Sequence, residues 1–290
     1  MTQSSYLLVN ADDYAYFPGV SRGIIDAHKK GIVTATGMLT NGSSFAEDIE
    51  MLRSTPSLDA GVHLNLTIGR PLTANMRAIF RDNAEEFMSK VSFARKYVSG
   101  AIKTDDVREE WCAQIEKGLG AELRIWFLNS HEHVHLFPSL FKLVQELAQL
   151  YDIPYVRRPT ARLNESINPA QIIRSGIVKT LGALNKAGMR QPAARFIGFG
   201  QSGRLSEAYL KKILGDLRPG KIYELMCHPG YDDGLDQRLA YLRNYHDWNL
   251  EMQTLTGSDI RAACRKENVR VIGYHDIDRI SHELQSDVRN

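Results

Sequence analysis

Four short stretches of the 290-residue sequence carry acids and imidazoles in spacings that could do chemistry. They are Asp12-Asp13 in LLVNADDY, His63 in VHLNLT, His131, His133 and His135 in SHEHVH, and His228 in MCHPG. Carboxylates and imidazoles ligate catalytic metals and pass protons near neutral pH. The third stretch, His131-Glu132-x-x-His135, also spells the H-E-x-x-H of a zinc peptidase, whose two histidines must stand one helical turn apart. Its flanks speak against a helix. Ile125-Trp126-Phe127-Leu128 upstream is a strand-type run, and Pro138 downstream fits the first turn of a new helix. A helix running on into Pro138 would lose a hydrogen bond and clash, at about 3 kcal/mol. SHEHVH is therefore expected at the carboxyl end of a strand, with His131, His133 and His135 on one side by alternation and Glu132 turned away.

The elements that must position these groups are legible as periodic runs. Residues 5–10, 33–40, 60–67, 123–129, 222–227 and 269–274 read as strands, and IPYV before Arg157 is strand-like. Residues 18–31, 44–54, 84–118, 138–152, 206–216 and 237–267 read as helical, with Pro18 near one start and Gly31 as a stop. The alternation implies an α/β fold: a mostly parallel sheet of about seven strands under helices, either doubly wound or a (β/α) barrel. No repeat or Pro/Gly/Ser-rich linker divides the chain, so residues 1–290 are expected to form a single domain.

In both architectures ligands bind beyond the carboxyl ends of the strands. A lone Asp after a strand is more often a cap or turn former, and a lone His more often a hydrogen-bonded core residue. Four strands delivering such groups to one rim outweigh those plain readings. One carboxylate with two imidazoles leaves coordination positions open, as a catalytic metal requires. Adjacent aspartates cannot comfortably bind one ion together, so one is left free to act as a base. Composition excludes other classes. With 43% hydrophobic and 24% charged residues, the chain is ordinary for a globular protein, and a net charge of +2 calls for no nucleic acid. Three scattered cysteines, a beginning without a secretory pattern and no transmembrane segment point to the cytoplasm.

LLVNADDY (7–14), GIVTATGMLTNG (31–42), PSLDAGVHLNLTIGRPL (56–72), NSHEHVHLFPSL (129–140) and YELMCHPGYDD (223–233) together resemble, in order, the motifs of the YdjC-like carbohydrate deacetylases. That family includes chitooligosaccharide and hopanoid-linked deacetylases. The resemblance implies a distorted (β/α) barrel related to the polysaccharide deacetylases and metal-dependent removal of acetyl from an N-acetylated sugar. Carried over by position, Asp13, His63 and His131 would bind one divalent ion, with Zn²⁺ ahead of Mg²⁺ or other divalent metals. Asp12 would be the base and His228 the acid. His133 and His135 would orient those groups or simply pack. The competing classes are a metallohydrolase of another amide or ester and a sugar-binding barrel without chemistry. The family usually follows NADD with an aromatic residue and Gly, whereas this chain has Tyr14-Ala15.

Residues 157–204 form a basic, partly helical insert with nine Arg/Lys against one acid, Glu165. Its stretch 169–188 carries Ile172, Ile173, Ile177, Leu181 and Leu184 at helical spacing. A barrel helix with a solvated basic face is the plainer reading. The sharper one is a lid that meets a phosphate- or lipid-carrier-linked sugar, as in surface-polysaccharide assembly, with Arg157 and Arg158 nearest the rim. The oligomeric state is not encoded in any pattern of the sequence.

Overall fold

The computed structural model describes residues 3–161, 169–185, 194–233 and 235–287. Its strands are β1 (Ser5–Tyr14), β2 (Ala35–Met38), β3 (Asp59–Leu64), β4 (Ile125–Ser130), β5 (Tyr155–Val156), β6 (Arg195–Ile197), β7 (Ile222–Cys227) and β8 (Val269–Ile272). The helices are α1 (Pro18–Lys30), α2 (Phe45–Arg53), α3 (Ala74–Ile79), α4 (Lys90–Val98), α5 (Thr104–Leu119) and α6 (Pro138–Leu150). They continue with α7 (Pro169–Leu184), α8 (Glu207–Asp216), α9 (Trp248–Thr256), α10 (Ser258–Lys266) and α11 (Ile277–Asp287).

All strand pairs are parallel, in the order β5-β4-β3-β2-β1-β7-β6. β7 pairs along Tyr6–Ala11 of β1. β8 pairs with Ser5–Leu8 and β2 with Asn10–Tyr14, so these two share the other edge of β1 end to end. Among the described residues no ladder joins β5 to β6. The sheet nevertheless curls on itself, because Tyr6 and Leu8 of β1, Phe127 of β4, Tyr155 of β5, Ile222 of β7 and Ile272 of β8 meet in one inner cluster. Tyr274 plugs that interior, stacked at 4.2 Å on Phe127 and 5.6 Å from Tyr155. The alternate residues Leu7, Val9 and Ala11 face the larger core under the helices. This is the distorted (β/α) barrel that the family resemblance implies, where the alternating runs leave a doubly wound sheet equally open.

Two long helical stretches break. Residues 84–118 divide into α4 and α5 around Gly100, whose φ of 78° is left-handed, with Ala84 and Glu85 left-handed before them. Residues 237–267 divide into a 3₁₀ stretch (Gln237–Asn244), α9 and α10, the last two meeting at Gly257. α3, β6 and α11 are additional to the expected elements. Residues 162–168 and 186–193 of the basic insert lie outside the described residues.

Candidate metal centre and its cleft

The first question is how two adjacent carboxylates can serve one site when strand alternation sends neighbours to opposite faces. Alternation from Tyr6, Leu8 and Asn10 turns Asp12 towards the barrel interior. The β1–β2 register then slips between Ala11 and Tyr14, and Asp13 adopts a left-handed φ of 73°. A bulge of this kind re-aims side chains. Asp12 Oδ1 ends 3.8 Å from His63 Nδ1, and Asp13 Oδ1 3.3 Å from His63 Nε2. Ala15, where the family usually has Gly, also holds a left-handed φ of 67°, a conformation that costs an L residue about 1–2 kcal/mol. Its N–H donates to Ser21 Oγ at 2.9 Å, and Tyr14 is anchored beneath by its hydroxyl donating to the Asp48 carbonyl at 2.7 Å.

Asp13, His63 and His131 come together with ligand atoms within 4.8 Å of one another. The carboxylate oxygen of Asp13 is 3.3 Å from His63 Nε2 and 2.9 Å from His131 Nδ1. Ligands ~2.0–2.2 Å from a tetrahedral zinc are roughly 3.3–3.6 Å apart, so the three side chains are close enough to share one ion. Burial alone would raise the Asp13 pKa, but His131 and His63 outweigh it and hold the carboxyl well below its ordinary range. The ligand set fits a divalent transition metal.

A buried relay fixes the His63 tautomer. His63 Nδ1–H donates to Asn129 Oδ1 at 2.7 Å, and Asn129 Nδ2 donates to Asp12 Oδ1 at 2.9 Å. With Nδ1 protonated, Nε2 presents its lone pair towards Asp13. The β3–β4 register places His63 directly beside Asn129.

Arg157 stands behind Asp12. Its side chain is fully buried, with Nη1 2.5 Å from Asp12 Oδ2 and Nε 2.5 Å from Glu224 Oε1. Burial pushes the Asp12 pKa up, yet the guanidinium, with His63 and His228 contributing, brings it below the ordinary value. The reading of Arg157 as a rim residue for substrate phosphate is therefore overturned: β5 ends just before it and turns its side chain into the barrel, where two carboxylates hold it. Arg158 stays partly exposed beside it.

SHEHVH departs from its expected form. β4 stops at Ser130, and His131–Leu136 forms a 3₁₀ stretch with Glu132 (φ 52°) and His133 (φ 57°) left-handed. That conformation excludes the one-turn helical spacing of a peptidase, and it also breaks the alternation expected to align His131, His133 and His135. Only His131 reaches the metal centre. Glu132 turns to Lys90, 2.7 Å away. His135 is buried: Nε2–H donates to the Arg157 carbonyl at 3.1 Å, and Nδ1 accepts from Ser130 Oγ at 2.5 Å. It braces the backbone that carries Arg157. His133 sits among Phe196 and Phe199, its Nδ1 buried without a partner.

His228 follows Cys227, whose register partner is Ala11, so it stands one step beside Asp12 at the same strand ends. Glu251 of α9 fixes this loop, accepting from the backbone N–H of His228 at 2.5 Å and of Leu205 at 3.1 Å. The His228 ring lies 5.0 Å from that of His246, which stacks at 5.2 Å on Trp248. Nδ1 of both histidines is buried without a protein partner. Burial, and then His228, push His246 down to about 3. The Tyr16 ring is 5.9 Å from His131, and Tyr241 and Tyr245 stand half-exposed in the 3₁₀ stretch and just after it.

Asn129, Glu224, Glu251 and His246 were not singled out from the sequence. Two of them left a signal there: Asn129 and Glu224 are polar residues inside otherwise apolar strand runs, which a fully buried strand tolerates only when they are paired. Glu251 and His246 gave none, since each stands in a mixed polar stretch.

Residues 6–266 match the model of the YdjC-like protein family. A carbohydrate deacetylase of Halalkalibacterium halodurans is 31% identical, covering 81% of this chain and 90% of its own. One of Geobacillus stearothermophilus is 29% identical, covering 93% and 97%. A crystal structure from Enterococcus faecalis V583, provisionally named a cellobiose-phosphate cleavage protein, superposes with a TM-score of 0.74 at 26% identity, covering 94% of this chain and 98% of that one. The match across nearly the whole chain means that this chain belongs to the YdjC-like family.

Proposed function

We propose that this protein is a metal-dependent N-deacetylase, folded as one domain, that hydrolyses the acetamide of an N-acetylated sugar. The observation that carries the reading is the buried Asp13–His63–His131 cluster with the ionised Asp12 beside it. The names of the deacetylase relatives support the sugar substrate. Two imidazoles and one carboxylate suit zinc better than magnesium, which prefers oxygen ligands.

When bound, such an ion supplies Lewis-acid polarisation of the acetamide carbonyl and a lowered water pKa. The chain's own residues do the rest. Asn129 holds His63 in the tautomer with a free Nε2. Asp12, its Oδ1 held by Asn129 and Asn10 and its Oδ2 by Arg157, keeps a further lone pair on Oδ2. It accepts the proton of the attacking water. His228, with its unpartnered Nδ1, delivers a proton to the sugar nitrogen so that it leaves as an amine. Tyr241 and Tyr245, both half-exposed, offer aromatic surface on which a sugar ring can rest.

The test is acetate release from N-acetylated sugars and from acyl esters by chelated and metal-reloaded protein, with metal content measured in parallel. Acetate from the sugars, dependent on reloading and lost together with the metal in His63→Ala, supports the reading. Turnover of esters alone would make the protein another metallohydrolase. No turnover by folded, metal-loaded protein would leave a sugar-binding barrel.

A further inference from the structure

Helix α7 presents its apolar stripe outwards. An amphipathic surface helix normally turns that stripe to the core. Here the inward line is Ser175, Val178, Gly182 and Asn185, all buried, with Asn185 Nδ2 donating to the Leu136 carbonyl at 2.9 Å. Ile172 (48% exposed), Ile173 (65%), Ile177 (54%) and Leu184 (64%) stand in solvent. Ile173, Ile177 and Leu184 recur at helical spacing, so they form one continuous ridge. The only charged side chains of the helix are Arg174 and Lys179; it has no acid.

The position of α7 ties the ridge to the cleft. The helix packs on the His131–Leu136 turn and on the Phe199–Gln201 turn. The Arg174 guanidinium lies 5.4 Å over the Tyr245 ring. At the same turn, Lys90 of α4 holds Glu132, and Met88 and Val91 beside it are also exposed. Two elements that meet the His131–Leu136 turn, α7 and the start of α4, therefore both carry exposed apolar side chains, interleaved with Lys90, Arg174 and Lys179.

We propose that α7 docks this protein on an anionic lipid surface, with the mouth of the metal-centre cleft turned towards the bilayer. A helix with an outward apolar ridge and cations without acids matches the interfacial helices that lie in the headgroup layer. Charge selects this occupant over a second copy of the chain: a two-fold contact through α7 would set Arg174 and Lys179 against their own duplicates with no acid on the helix to offset them. The docking is independent of the reaction performed in the cleft.

The experiment is flotation of the full chain with phosphatidylcholine vesicles, with and without phosphatidylglycerol, at low and high salt. Analytical ultracentrifugation and a thermal melt accompany each variant. The wild type should float with the phosphatidylglycerol vesicles and be released by salt. Ile173→Ser/Ile177→Ser should weaken that binding by more than about tenfold while the melt is unchanged, and Lys179→Glu should weaken it as well. Val98→Ser, an exposed apolar change at the far end of α4, should leave it intact. No flotation with anionic vesicles at low salt, or equal flotation of the wild type and the double variant, would overturn the proposal. So would a wild-type dimer that the double variant converts to monomer without any vesicle binding, because a second copy would then cover the ridge.

Discussion

Replacing Arg157 by Met tests the buried charge network on which the site is built. The guanidinium is fully buried between Asp12 and Glu224, each within 2.5 Å of one of its nitrogens. Methionine keeps much of the apolar stem but strands two buried carboxylates. Removing one partner of a buried ion pair destabilises by about 3–5 kcal/mol. Unfolding entropy near ~2.1 cal/mol/K per residue gives about 0.6 kcal/mol/K for 290 residues, so Tm should fall by about 5–8 °C at neutral pH. The sign with pH follows from Asp12. In the wild type its folded pKa is depressed, so its contribution is present above the unfolded value, ~3.9, and is lost as pH falls through the folded pKa. Without Arg157 the burial that pushes this pKa up is no longer outweighed. The carboxylate then destabilises the variant above its raised pKa and is relieved by protonation below it. The Tm difference should therefore be widest at neutral pH and narrow on acidification towards ~4. Thermal melts followed by circular dichroism across that range measure it, with Arg157→Met/Glu224→Gln expected to recover part of the loss. A difference under ~2 °C at neutral pH, or one that does not change with pH, would show that the network does not hold Asp12 as described.

Three further outcomes are expected. Asp12→Asn should keep metal and fold but lose turnover by about 10²–10⁴-fold, because an amide cannot take the water proton; metal analysis beside steady-state kinetics checks both halves. Asn129→Ala frees the His63 tautomer and should weaken metal affinity by roughly 10–100-fold, read by competition with a chromophoric chelator. Glu132→Gln should change the rate by less than about tenfold, ~1.4 kcal/mol, since its carboxylate pairs with Lys90 at the cleft edge; a collapse of activity in folded protein would return the peptidase reading.

The sequence by itself determined where chemistry could sit. Apolar runs with strand character end at or near Asp12, His63, His131 and His228, and Pro138 forbids a helix through SHEHVH; both signals are local, set by side-chain periodicity and backbone sterics. It also displayed the candidate groups at each strand end, while the choice of Asp13, His63 and His131 among them came from the family resemblance. The tertiary structure decided which partners those groups find. Asp12 and Arg157 are 145 residues apart in the chain, and only the curling of the sheet, which brings the end of β5 across the interior from β1 and its neighbour β7, makes Arg157 a buried counter-ion rather than a phosphate ligand at the rim. The same register set Asn129 beside His63. The left-handed turn at Glu132 and His133 cancelled the alternation that a straight strand would have kept. The ridge of α7 was visible as a periodic pattern, but a period does not say which side faces the core. That was fixed by the small residues Ser175 and Gly182, which let the helix pack by its other face and left the isoleucines outside.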